Sequence, residues 1–149
     1  SIASDDRIHN SIKIGPESAG SNPGPACYDR GGLRPTVTDA DLLLGYLDPE
    51  NYANGYIKLN PKRSVQAIED TLCDPLDMDV IDIARVIKDS VDEQMAIGIG
   101  KELRVRGYLP EDFTMLAYGG NGPLHACGIA RHAGPRRSPR CSPPAAPAT

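Results

Sequence analysis

The chain has 149 residues, 40% of them hydrophobic and 24% charged, with a formal net charge of −4. This size allows one domain with a modest core, and the acidic balance excludes a nucleic-acid binder that works through a basic stripe. No apolar run reaches membrane-spanning length, so no membrane contact is expected.

The composition points to an incomplete body. There is no Trp and one Phe, Phe113, while 15 Gly and 14 Pro take up much of the chain. Aromatic side chains normally supply the largest buried areas, so the core must rest on Ile, Leu, Val and Ala. A piece of a larger assembly is the expectation. The four cysteines show no C-x-x-C pairing, which fits a reduced, cytoplasmic setting.

Arg7 to Ile14 alternates Ile8, Ile12 and Ile14 with polar residues, the pattern of a strand with one covered face. Gly15 to Tyr28 then packs glycine and proline into 14 positions that also carry Glu17, Ser18, Ser21, Asn22 and Cys27. Glycine opens positive φ and proline fixes φ, so this is a shaped loop. Loops of this length inside compact domains are commonly functional.

Thr36-Val37-Thr38 reads as a short β-branched strand, and Asp39 as the N-cap of a helix from Ala40 to Leu47. Asp39 serves either as that cap or as a carboxylate held near a metal or polar substrate. Asp41 is expected to face solvent. Asp48 to Asn51 forms a turn and Tyr56 to Leu59 a short strand; Asn60 and Pro61 open a helix to about Leu72.

The longest helix starts at Asp77 or Asp79 and runs to about Arg106. Val80, Ile83, Ala84, Ile87, Val91, Met95 and Gly98 recur at spacings of three and four, which places them on one stripe. Gly107 ends it. Thr114 to Tyr118 reads as a buried strand, Gly119-Gly120-Asn121-Gly122 as a turn, and Pro123 as the start of a helix to about Ala133. From Pro135 the chain becomes a Pro/Arg-rich tail, residues 135–149, with five prolines in fifteen positions and an expectation of disorder.

The strand, glycine turn and helix form the best-founded candidate site. Glycines let a ligand approach the backbone, and a helix start points unpaired N–H groups and a positive dipole end at it. A phosphate or the ribose side of a nucleotide fits such a place; an ordinary strand-to-helix turn is the plainer alternative. The spacing matches neither of the common phosphate-loop patterns.

Cys27, Asp39 and His125 form a second candidate, a metal site. His125 and Cys127, two apart on a helix, diverge by about 200°, so His125 with Cys27 or Asp39 is the freer geometry. Sulfur and imidazole would favour Zn2+. A small buried cysteine and a hydrogen-bonded histidine form the plainer reading.

Three motifs occur in order: Gly15 to Tyr28, Pro35 to Ala40, and Tyr118 to Cys127. Together they closely resemble the C-terminal part of the hydantoinase A / 5-oxoprolinase family, which includes the ATP-binding subunits of acetone and acetophenone carboxylases. The resemblance covers about residues 1–134. It implies an α/β fold: part of an actin-like, sugar-kinase-like ATPase lobe, completed by a separate larger chain that carries the phosphate-binding motifs.

On that resemblance Gly119, Gly120 and Gly122 contact the nucleotide, with Asn121 as a polar contact. The implied cofactors are ATP with Mg2+ or Mn2+, held jointly with the partner chain. The implied function is that of a small subunit of an ATP-dependent, biotin-independent carboxylase of an aromatic ketone, together with further carboxylase subunits. A fragment of an ATP-dependent hydantoinase or 5-oxoprolinase, and a structural subunit without ligand contact, stand as alternatives. The sequence departs from the family pattern at Asp29, at Asp41 and at Asp92-Glu93-Gln94, more acidic than expected.

Overall fold

The computed structural model describes residues 2–5, 11–15 and 17–134. The chain divides into two compact units, one ending at Ser90 and the other beginning at Val91.

In the first unit, β1 (Ile2–Asp5) pairs antiparallel with β2 (Ser11–Ile14), Ile2 opposite Ile14. The strand expected over Arg7–Ile14 is present over its second half; residues 6–10 and the tail from Pro135 lie outside the described residues. Ile2 is buried, and Ile12 and Ile14 pack against the same core.

The Gly/Pro loop is wound tightly. Gly24 sits at φ 76°, a 3₁₀ turn covers Ala26–Tyr28, and Asp29 closes that turn in the left-handed region at φ 55°. Gly32 backs onto the same turn: a Cβ there would run into the Gly24 carbonyl oxygen, so no larger residue fits without backbone movement.

Helix α1 (Val37–Leu43) corrects two expectations. Thr36 is its N-cap, not a strand residue, and Asp39 stands at N3, where the two close a capping box. Thr36 has extended backbone, φ −132° and ψ 171°, so a β-branched cap imitates a strand in sequence. Asp41 is buried rather than facing solvent.

The strand expected over Tyr56–Leu59 is also absent. A 3₁₀ turn at Tyr52–Gly55 leads into irregular chain, with Ala53 and Asn54 left-handed. Buried Leu59 donates its N–H to the Pro49 carbonyl at 2.9 Å.

Helix α2 (Pro61–Ile68) starts as expected: Asn60 caps it through Lys62 N–H at 3.2 Å, with Pro61 in the first turn. It continues past its expected end through a π-helical turn, Glu69–Cys73, and α3 (Asp74–Leu76). Asp77, at φ 50°, breaks the run before α4 (Val80–Val105). Ile83, Ala84 and Ile87 of α4 close a core with Ile2, Ala40, Ile68, Leu72 and Leu76. Full burial of each large aliphatic contributes roughly 1.5–3 kcal/mol.

In the second unit, Ala96 of α4 is buried, as are Ala126 and Ile129 of α5 (Gly122–Ala133). Gly107, at φ 80°, ends α4 as expected, and a 3₁₀ turn covers Pro110–Asp112. Residues 114–118 are not the buried strand expected. They form no strand and make no backbone hydrogen bond to another described residue, and Leu116 and Tyr118 are 71% and 81% exposed. A strand exists only through its neighbour, and among the described residues the one sheet is the β1–β2 pair. No helix among the described residues is long and apolar enough to cross a membrane.

Candidate functional site

The glycine turn sits at the start of α5 and is open. Gly119 takes φ 88°, a conformation that disfavours any side chain. A Cβ on Gly119, Gly120 or Gly122 would meet nothing within 4 Å, and all four residues from Gly119 to Gly122 are exposed. Asn121 provides no side-chain cap. In the first turn of this twelve-residue helix Pro123 has no N–H and Leu124 donates to the Asn121 carbonyl at 3.1 Å, so the turn presents the Gly122 N–H and a positive dipole end to an uncluttered surface. Such a surface fits one wall of a site for phosphate or nucleotide oxygen; the other walls must come from elsewhere.

Behind the turn, His125 Nδ1 lies 2.7 Å from Asp92 Oδ1, and both side chains are buried. The pair anchors the first turn of α5 to α4 and fixes the imidazole ring. Gly128, one turn on, makes room for it: a Cβ at that position would collide with the Asp92 carboxylate. The sequence marks Asp92 as an acidic departure from the family pattern, not as a site residue. The available signal was an acid on α4 spaced four residues from Ala96, on the face that the helix buries.

A second polar centre lies in the first unit, around Asp39. Its Oδ1 accepts from Cys27 N–H at 2.8 Å and from the Ser64 hydroxyl at 2.7 Å. Its Oδ2 accepts from Ala26 N–H at 3.2 Å, Thr36 N–H at 2.9 Å and the Thr36 hydroxyl at 2.7 Å. Five donors from three segments thus converge on one fully buried carboxylate. The centre ties the Gly/Pro loop to the start of α1 and to α2.

Cys27 is fully buried beside this carboxylate. Burial, and then the nearby Asp39 charge, push its thiol far above the usual range. Among the described residues no three His, Cys, Asp or Glu side chains gather as a metal site would require. Asp39 is occupied by hydrogen bonds, Cys27 holds its proton, and His125 is paired with Asp92. Cys27 is a buried cysteine and His125 a hydrogen-bonded histidine, the features of the plainer reading.

Asp29, one of the departures from the family pattern, occupies its left-handed position with compensation. Its carboxylate accepts from Arg63 Nε at 2.7 Å and Asn60 Nδ2 at 3.1 Å, and these bonds hold its carboxyl below the usual range. The outer face of the Gly/Pro loop forms a cleft of about 330 Å³ beside the exposed Arg34–Glu17 pair.

The family model for Hydantoinase/oxoprolinase matches residues 1–138, and the chain belongs to that family. It is 48% identical over 129 residues to the acetophenone carboxylase gamma subunit of Aromatoleum aromaticum, covering 87% of this chain and 18% of that protein. It is 41% identical over 123 residues to the caprolactamase subunit alpha of Pseudomonas jessenii, covering 83% and 18%. The solved nucleotide-free structure of acetone carboxylase superposes with a TM-score of 0.80 at 34% identity, covering 91% of this chain and 19% of that one. The fold is therefore the hydantoinase-like α/β fold, represented here by a mostly helical portion. The chain spans less than a fifth of the length of these relatives.

Proposed function

We propose that this chain is the small subunit of an ATP-dependent, biotin-independent carboxylase of an aromatic ketone, of the acetophenone type. It completes an actin-like ATP-binding lobe whose phosphate-binding motifs lie on a larger hydantoinase-family subunit. The observation that carries this reading is the 48% identity, over most of the chain, to the acetophenone carboxylase gamma subunit. Gly119, Gly120 and Gly122 approach the nucleotide with their backbone and Asn121 with its side chain. The open helix start supports that role, because its glycines leave the backbone and the positive dipole end accessible where a side chain would otherwise intrude. ATP, with Mg2+ or Mn2+ held mainly by the larger chain, supplies the activation of bicarbonate and ketone enolate. The setting is cytoplasmic.

A second reading is a fragment of an enzyme that opens a cyclic amide at the expense of ATP. The 41% identity to the caprolactamase subunit alpha favours it. The two separate in one assay. ADP release by the purified complex is measured with acetophenone plus bicarbonate, and again with caprolactam or 5-oxoproline. Ketone- and bicarbonate-dependent ADP release is the expected result. Release driven by the cyclic amides alone would transfer the assignment to the second reading.

A further inference from the structure

Helix α5 begins with little of its own to hold it. Its N-cap, Asn121, makes no side-chain cap bond, its first turn carries no acid, and Pro123 has no N–H to give. Three of the four residues from Gly119 to Gly122 are glycine, the type with the widest backbone freedom. A few residues further on, the same helix is fixed twice to a single buried carboxylate. His125 Nδ1 donates to Asp92 Oδ1 at 2.7 Å, and Gly128 leaves the space which that carboxylate fills. His125 and Gly128 are three residues apart, so they share one face of α5. A hydrogen bond at the first and a steric fit at the second oppose both rotation of α5 about its axis and sliding along it. Asp92, His125 and Gly128 all lie in the second unit, as does the glycine turn. Gly122 precedes His125 by three residues, about 4.5 Å along a helix axis, so turn and tether move as one piece.

A buried carboxylate is a costly way to fill space, since an apolar side chain of similar volume packs without losing hydration. What the hydrogen bond adds over an apolar contact is direction. We infer that Asp92 is a positioning residue for the nucleotide: acting through His125, it holds the first turn of α5, and with it Gly119 to Gly122, in the conformation that the nucleotide meets. The inference rests on the proposed nucleotide contact at this turn and adds the residue that prepares it. Asp92 is buried and acts on the ligand only through the helix start. Without the tether the glycine turn samples other conformations, and apparent affinity for ATP drops by the fraction of molecules still in the competent one. The chemical step, made by groups on the larger subunit, is left nearly as it was.

The test uses the full chain in complex with the larger hydantoinase-family subunit. ATP with Mg2+ is titrated to obtain its Kd, and amide hydrogen exchange at residues 119–126 is followed with and without it. ADP release, driven by acetophenone plus bicarbonate or by a cyclic amide, gives KM for ATP and kcat. Asp92→Leu should raise Kd and KM about tenfold and change kcat by less than about threefold. Asp92→Asn, which keeps an acceptor oxygen, and His125→Asn, whose amide N–H takes the place of Nδ1–H, should each keep most of the affinity. An unchanged Kd in an intact Asp92→Leu complex would make the pair a structural anchor and overturn the inference. A fall in kcat with Kd unchanged, in His125→Asn, would make His125 a catalytic group and overturn it as well. Should Asp92→Leu not assemble, His125→Phe, which keeps a ring and removes the donor, carries the same expectation. Failure of both to assemble would again make the pair a structural anchor. If ATP leaves exchange at residues 119–126 unaltered in the wild-type complex, the nucleotide contact itself falls and the inference with it.

Discussion

Asp39 Oδ1 accepts the Ser64 hydroxyl at 2.7 Å across 25 residues of sequence, and both side chains are fully buried. Each converging donor satisfies the carboxylate, and each becomes an orphan if it is removed. The consequence is an ordered series of stabilities. Ser64→Ala should cost about 1.5–3 kcal/mol, the range for a hydrogen bond to a charged group. Asp39→Ala should cost more, at least about 3 kcal/mol, because several buried donors then lose their acceptor at once. Urea unfolding of the full chain measures both. Equal losses would mean that the carboxylate does not organise the loop.

Asp92, His125 and Gly128 make a second coupled set. Gly128→Ala would drive a methyl into the Asp92 carboxylate and displace it from His125. The expected loss is about 1–3 kcal/mol, as for overpacking in other cores. In the background of Asp92→Ser, whose shorter side chain leaves room, the same Gly128→Ala change should cost much less. A double-mutant cycle on thermal unfolding reads that coupling. Strict additivity would mean that the two positions act independently.

How far the sequence disclosed this arrangement depended on whether the determining contacts are local. Helix α4 was legible from its stripe of Val80, Ile83, Ala84, Ile87, Val91 and Met95, because helical periodicity is written within one turn of the chain. The start of α2 was legible for the same reason, through Asn60 and Pro61. Thr36 to Thr38 misled, because an extended N-cap and a strand residue favour the same β-branched side chains. Tyr56 to Leu59 misled because two left-handed residues, Ala53 and Asn54, set the local path and neither is glycine. The partnership of Asp92 with His125 spans 33 residues, so the local pattern shows an acid on the buried face of α4 without naming its partner. The glycine turn was legible as a helix start; what lies opposite it was not.

Cys27 gives a prediction in pH. Its thiol is raised in the folded chain, first by burial and then by Asp39. The folded state therefore keeps a proton that the unfolded state releases near the ordinary thiol value of 9.0. The stability linked to Cys27 is fully present below that value and declines as pH rises above it. Cys27→Ala should flatten the alkaline decline seen in denaturant midpoints, at the cost of a small cavity. At neutral pH, iodoacetamide should label exposed Cys127 well before Cys27, which should react only on unfolding. Rapid labelling of Cys27 in the folded chain would contradict its burial.

Gly120 offers the sharpest separation between a nucleotide-contacting subunit and a structural one. A Cβ there meets nothing within 4 Å, and Gly120 is not among the residues at positive φ. Gly120→Val should therefore leave the fold and thermal midpoint nearly unchanged, within roughly the ±0.5 kcal/mol typical of surface substitutions. Gly119→Val is a poorer probe, because its φ of 88° would add backbone strain to any loss of contact. If nucleotide approaches this backbone, the valine side chain occupies its path, and ATP turnover by the assembled complex should fall at least a hundredfold while the complex stays intact. Size-exclusion chromatography checks assembly, and ADP release checks turnover. Intact assembly with full turnover would assign the chain a scaffolding role and move the nucleotide wholly onto the larger subunit.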